Sequence, residues 1–154
     1  MGSDIDWKRA QPLPKAVASA LRINFPMITA TGIYSDRDVA GTKKKSSHAE
    51  GRAIDIHLNA NKPNDRLVGD ELFRVLIDAA HATGIDNVIW NRQIWSTRRP
   101  TIRHYPGANP HTDHIHVEFT RDGSQQQAFH LLEVKIAQLR TGLEELAVQR
   151  GSTG

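Results

Sequence analysis

A chain of 154 residues with no cysteine is most economically a single domain, and it lacks disulfides, thiolate zinc sites and a Cys nucleophile, so any metal ligand must be His, Asp or Glu. The 20 basic residues against 17 acidic give a net charge of +3, with Lys43-Lys44-Lys45 as the one dense basic run. That balance favours an anionic partner such as an acidic cell-wall polymer, but it falls short of the broad basic face of a nucleic-acid binder. No stretch approaches the roughly eighteen apolar residues of a membrane span, so membrane insertion is not expected. The N-terminus lacks the charged-then-apolar pattern of an export signal. Met1-Gly2-Ser3 and Gly151-Ser152-Thr153-Gly154 carry no fold signal, and a signal or further domain lost from either end is compatible with them.

In chain order, Leu13 to Asn24 places Leu13, Val17, Ala20 and Leu21 at helical spacing, with Pro14 in the first turn and Pro26 as the stop. Met27 to Tyr34 is a β-rich alternating run, and Ser35 to Ser47 is a polar loop containing Gly41 and the lysines. Arg52 to Leu58 alternates again, sending Ile54, Ile56 and Leu58 to one face and Asp55 and His57 to the other. Asp65 is positioned to cap a helix from about Leu67 to Thr83, striped by Leu67, Leu72, Val75, Leu76 and Ala79 and stopped by Gly84. Asn87 to Trp90 and Gln93 to Ser96 read as a hairpin about Asn91-Arg92. Thr97 to Pro110 is a long irregular connection, and loops of that length are usually functional or disordered. Trp90, Trp95 and Tyr105 are placed to line a groove, although tryptophans in such short apolar runs more often fill a core.

Ser124 to Arg150 is strongly helical, with Phe129, Leu132, Ile136, Leu139, Leu143 and Leu146 in three-four spacing. A helix of roughly 25 residues is about 37 Å long. It either packs on its own domain or forms a coiled-coil seam or stalk, which leaves helix-mediated contact with a partner open. The sum is an α+β domain over residues 4–123, with a small, mainly antiparallel sheet, helices on one face and a polar groove on the other, followed by a C-terminal helix over 124–150.

The chemistry concentrates in His111-Thr112-Asp113-His114-Ile115-His116-Val117-Glu118-Phe119. From His114 onward the alternation of a strand sends His114, His116 and Glu118 to one face and Ile115, Val117 and Phe119 to the other. Upstream, Ser46-Ser47-His48-Ala49-Glu50-Gly51-Arg52-Ala53-Ile54-Asp55 offers one imidazole and, seven residues later, one carboxylate on the polar face of the Arg52 to Leu58 strand. If the two strands lie close, His48, Asp55 and His116 converge on one cation. Two imidazoles and a carboxylate leave a tetrahedral zinc one open position, as in catalytic rather than structural sites. His57 and Glu118 share these polar faces, either as outer partners of the ligands or as plain solvent-facing residues. The helical HExxH spacing of other zinc peptidases is absent.

The pattern of Ser46, His48, Gly51, Ala53 and Asp55, followed by His114 and His116, resembles the LAS-type zinc peptidases over roughly Ile28 to Phe119. That family includes D-alanyl-D-alanine carboxypeptidases and dipeptidases, phage endolysin peptidases and the hedgehog signalling domain. The resemblance implies one zinc per chain on His48, Asp55 and His116, with His114 beside the metal as support or oxyanion stabiliser. It implies a catalytic base at Asp113, where many relatives have Glu, or at His111, where others have His. Arg37 is the nearest counterpart of an Arg that pairs with a substrate carboxylate or carbonyl. The implied activity is hydrolysis of amides involving D-amino acids in the peptide stems of bacterial peptidoglycan, endolysin-like or carboxypeptidase-like. It would act in the cell wall or outside the cell, as a secreted enzyme or a phage lysin delivered through a holin pore. A zinc-bearing binding module without catalysis, as among hedgehog-like relatives, is the alternative, and retention of a base argues against it. A metal-dependent nuclease is a third reading, but the carboxylate-rich or His-Asn-His sites of that chemistry have no counterpart here.

Overall fold

A computed structural model describes residues 5–28, 31–35, 46–126 and 129–153. Its strands are β1 (Thr31–Gly32), β2 (Ala53–His57), β3 (Ile85–Trp90), β4 (Gln93–Ser96), β5 (Arg103–His104) and β6 (His114–Phe119). They form one open antiparallel sheet in the order β1-β2-β6-β3-β4-β5. The two motif-bearing strands, β2 and β6, are therefore direct neighbours, with Asp55 opposite His116 and His57 opposite His114. Because directly opposed residues share a face, this register gathers the polar side chains of both strands on one side of the sheet.

The other side is the core. Ile54, Ile56, Ile115, Val117 and Phe119 are fully buried there, together with Val88 and Trp90, and Trp95 is nearly so. Over them lie α1 (Pro12–Asn24) and α2 (Pro63–Asp78), contributing Leu13, Val17, Leu21, Leu72 and Leu76, and the start of α5 (His130–Thr153), contributing Leu132 and Ile136. Each such side chain contributes about 1.5–3 kcal/mol on burial, so the helix side holds the sheet and leaves the polar side available for chemistry. Trp90 and Trp95 belong to this core and not to a groove on the polar side. Trp90 packs against Gly69, where a Cβ would come within 2.3 Å of the indole.

Several boundaries differ from the sequence expectation for identifiable reasons. Of the strand expected over Met27 to Tyr34, residues 29–30 lie outside the described residues, and among the described ones pairing is confined to Thr31–Gly32, because the chain then turns away to meet His48: the Ile33 carbonyl accepts from His48 Nδ1 and Ser35 N donates to the His48 carbonyl. The α2 helix starts at Pro63, whose fixed φ suits a first turn. Asp65 is therefore inside that turn, accepting from Asn59 N at 3.0 Å, and is not its cap. The helix breaks at Ala79 into a further turn, α3 (Ala80–Thr83), which Gly84 ends with φ of 70°. The hairpin is as expected: Asn91 and Arg92 both have positive φ, 49° and 66°, the signature of a type I′ turn. The connection after β4 contributes the short edge strand β5.

The C-terminal helix does not begin at Ser124. A separate turn, α4 (Arg121–Ser124), is capped by the Thr120 hydroxyl, and residues 127–128 lie outside the described residues. Leu132 and Ile136 of α5 are fully buried and Leu139 and Leu143 pack partly against the same core, whereas Leu146 is exposed and Val148 is 71 % exposed. The first half of the helix thus packs on the domain and the second half faces solvent.

A short 3-10 turn, Ser47–Glu50, carries His48. Ser46 caps it by accepting from His48 N, and Gly51 ends it in the left-handed conformation, φ 66°, where an added Cβ would come within 1.7 Å of the Arg9 carbonyl oxygen. Gly51→Ala is expected to cost more than the ~1–2 kcal/mol of the left-handed conformation alone, because backbone must also move. Urea unfolding checks this, and an unchanged midpoint would show that the turn is not held as described.

Candidate metal centre

His48, Asp55 and His116 each present one donor atom, and the three donors lie within 4.8 Å of one another. Asp55 is the hub. Its Oδ1 is 3.0 Å from His48 Nε2, 3.5 Å from His114 Nε2 and 3.6 Å from His116 Nδ1. Asp55 and His48 are buried, and His116 keeps 12 % of its side chain exposed. Burial alone would raise the Asp55 pKa, but the His116 and His48 rings hold it well below the usual carboxylate range.

The orientation of the rings suits a metal. His48 Nδ1 donates to the Ile33 carbonyl at 2.7 Å, which fixes the ring with Nε2 turned toward Asp55, the nitrogen that would serve a metal. His116 is turned the other way, with Nδ1 toward Asp55 and Nε2 3.5 Å from Glu118 Oε1. Each imidazole thus has an acceptor behind it, the outer arrangement that metal-ligating histidines carry. Two imidazole nitrogens and one carboxylate oxygen, with no thiolate, suit zinc and other divalent transition metals. Burial works to lower the His116 pKa, but Asp55 and Glu118 on either side of it raise it above its ordinary value.

Glu118 belongs to a wider ion-pair chain that local alternation alone could not reveal. Arg52 Nη1 reaches Glu118 Oε2 at 3.3 Å and the Phe119 carbonyl at 2.9 Å, and Arg52 Nε bonds Glu50 at 2.9 Å. Arg121, which stacks over Trp7, holds the other oxygen of Glu50. Burial would raise the Glu118 pKa, yet the His116 ring and Arg52 help to hold it down at about 2. Glu118→Gln is expected to weaken metal affinity roughly 10–100-fold, the usual cost of losing an outer partner. Competition titration against a zinc chelator measures it, and unaltered affinity would reduce Glu118 to a bystander.

His111 and His114 stand beside the donor residues. Their ring centroids are 4.6 Å apart, and His111 lies 5.8 Å from His116. His111 is 7 % exposed and has φ of 54°. This conformation is pinned by Asn109, whose side chain accepts from His111 N at 3.0 Å, and by Asn91 N, which donates to the His111 carbonyl at 2.8 Å. His111 Nδ1 donates to the Asn109 carbonyl at 2.7 Å, leaving Nε2 as the acceptor nitrogen. Burial, together with the neighbouring His114 and His116, pushes its pKa down to about 4. Tyr105 stands edge-on to His111 at 5.2 Å.

Asp113 is differently placed. Its side chain is 80 % exposed and its Oδ1 is 2.7 Å from His114 Nδ1, an interaction that lowers its pKa. His57, opposite His114, is exposed, with ring centroids 6.2 Å apart. Arg37 and the lysines at 43–45 lie outside the described residues.

Among known proteins, a family model described as VldE, C-terminal domain, matches residues 7–116. No curated protein and no solved structure matches the chain. The matched segment runs from before α1 to His116 and takes in all three donor residues, well over half of the sequence. The chain belongs to the VldE C-terminal domain family.

Proposed function

We propose that this protein is a zinc-dependent peptidase of the LAS type that hydrolyses amide bonds in the peptide part of bacterial peptidoglycan, with one zinc per chain held by His48, Asp55 and His116. The observation that carries this reading is the convergence of those donors, each imidazole backed by an acceptor, beside a buried imidazole whose acceptor nitrogen is free of its backbone partner. Zinc, when bound at such a site, supplies Lewis-acid polarisation of a carbonyl and brings the pKa of water down to about 7.

The remaining roles fall to side chains. His111 Nε2 takes the proton from the attacking water and returns it to the leaving amine. Asp113 is engaged with His114 and largely in solvent, so its task is to orient the His114 ring toward the oxyanion. Arg37 is assigned the pairing with a substrate carboxylate or carbonyl. The work site is the bacterial wall, reached by secretion or by phage delivery.

Digestion of purified peptidoglycan, with mass-spectrometric identification of new termini in the presence and absence of chelator, tests the reading. New amine and carboxyl termini that vanish with chelator are expected. Equal fragmentation under both conditions would sink the metal mechanism, and one bound zinc without any new termini would make the protein a binding module.

A further inference from the structure

Five of the six strands place one residue each in a single transverse row across the polar face. The pairings Asp55 with His116, His116 with Ile89, Ile89 with Ile94, and Ile94 with Arg103 run from β2 to the edge strand β5. Directly opposed residues share a face, so the row starts at two of the metal donors, crosses two isoleucines and ends at an arginine. Ile89 is nearly buried and Ile94 half-buried, which makes an apolar floor between the two polar ends. On the flank, Tyr105 and His111 stand edge to face at 5.2 Å.

The arginine at the far end is held in place by neutral groups. Arg103 Nη1 donates to the Arg99 carbonyl at 2.8 Å and to the Thr101 carbonyl at 3.1 Å, and Nη2 donates to Ser96 Oγ at 3.2 Å. Ser96 opposes Asn87, which opposes Glu118, so the Ser96 bond also keeps the guanidinium on the metal side. A guanidinium has five N–H donors, so these three bonds leave two for a ligand. Among the described residues no carboxylate pairs with Arg103. A planar cation fixed in advance, and paired with no carboxylate among the described residues, is suited to a carboxylate.

We infer that Arg103 is a specificity-determining residue that receives a carboxylate of a linear peptide laid across the strands, with the peptide's scissile amide at the His48, Asp55 and His116 end. The inference rests on the peptidase reading for what lies at that end. From His116 to Arg103 is three interstrand steps of about 4.8 Å, or about 14 Å, and a peptide extended at about 3.3 Å per residue crosses that distance in roughly four residues. The preferred substrate therefore carries an acidic group roughly four residues from the bond cut, with small or apolar residues over Ile89 and Ile94.

The test uses peptides whose central amide is replaced by a reduced, uncleavable bond, with Glu or Gln about four residues to one side or to the other, titrated calorimetrically into the zinc-loaded protein. One Glu peptide is expected to bind roughly 10–100-fold more tightly than its Gln counterpart. R103Q should remove that preference while leaving the Gln peptide unchanged, and R103K should restore part of it. Equal binding of every Glu and Gln pair, no binding of any peptide, or a preference that survives R103Q overturns the inference. Hydrolysis of the ordinary amide versions is scored separately. A Glu preference that depends on Arg103, without hydrolysis, upholds the docking role and refutes the peptidase. Hydrolysis without a Glu preference does the reverse.

Discussion

Asp55→Ala is expected to leave a folded protein that no longer retains zinc through dialysis. The carboxylate is one of three donors and faces three imidazoles between 3.0 and 3.6 Å, so its loss should exceed the roughly 10–100-fold that removing an outer partner costs. The fold should survive because the packing in β2 is done by the flanking Ile54 and Ile56 on the opposite face. The same substitution should shift the pH dependence of binding. A histidine with a raised folded-state pKa, as His116 has, contributes stability in its protonated form, present below the unfolded value of about 6.5 and lost as pH climbs through the folded value. Zinc needs that ring neutral, so below the raised pKa each ion displaces a proton and affinity gains about tenfold per pH unit before levelling off. Without Asp55, one cause of the raised value is gone and levelling begins at lower pH. Zinc per chain and chelator competition between pH 6 and 8 report both effects. Retention of one zinc per chain by the variant would remove Asp55 from the ligand set.

How much of this was legible in the sequence depends on how local each signal is. The α1 stripe and the Asn91-Arg92 turn are written in adjacent residues and appear as read. The two-residue edge strands β1 and β5 are too short for any alternation to show. The start of α2 is not legible from its neighbours, because Asp65 has the chemistry of a cap while Pro63, two residues earlier, already sets the first turn. The short turn α4 depends on the Thr120 cap and on the close approach of Gly123 to Gly84, a contact between segments distant in sequence.

At the site, alternation alone placed Asp55, His57, His114, His116 and Glu118 on polar faces, and the β2–β6 register makes those faces one. His48 is not on a strand at all. Its position follows from Ser46 and Gly51, which bracket the 3-10 turn, and both belong to the motif that carried the family resemblance. The Glu50, Arg52, Glu118 and Arg121 chain joins residues up to 71 positions apart, and charge order along the sequence contains no hint of it. Nor could the row from Asp55 to Arg103 be foreseen, since it exists only once five strands are in register. The choice between Asp113 and His111 likewise turns on exposure and ring orientation, which two residues in one short loop cannot disclose by type.

His111→Asn is expected to lower kcat by about 10²–10⁴-fold, the usual contribution of a positioned general base, with little change in KM and full retention of zinc. Asparagine is the informative replacement because it tolerates the positive φ at this position while lacking a basic nitrogen, so loss of activity cannot be assigned to a collapsed loop. The wild-type ring, pushed down to about 4 in the metal-free protein by burial and by its histidine neighbours, is neutral and able to accept a proton across the physiological range. The acid limb of kcat/KM that this ring governs should therefore lie well below pH 6, and it should be missing from the variant's residual activity. Asp113→Asn provides the contrast. Its carboxylate is 80 % exposed and contacts His114, so on the proposed mechanism the expected loss is smaller and falls on oxyanion stabilisation, with the acid limb preserved. Steady-state kinetics of both variants on one stem-peptide substrate decide the matter: if Asp113→Asn is the more damaging and erases the acid limb, the base is Asp113 and the buried imidazole only lines the site.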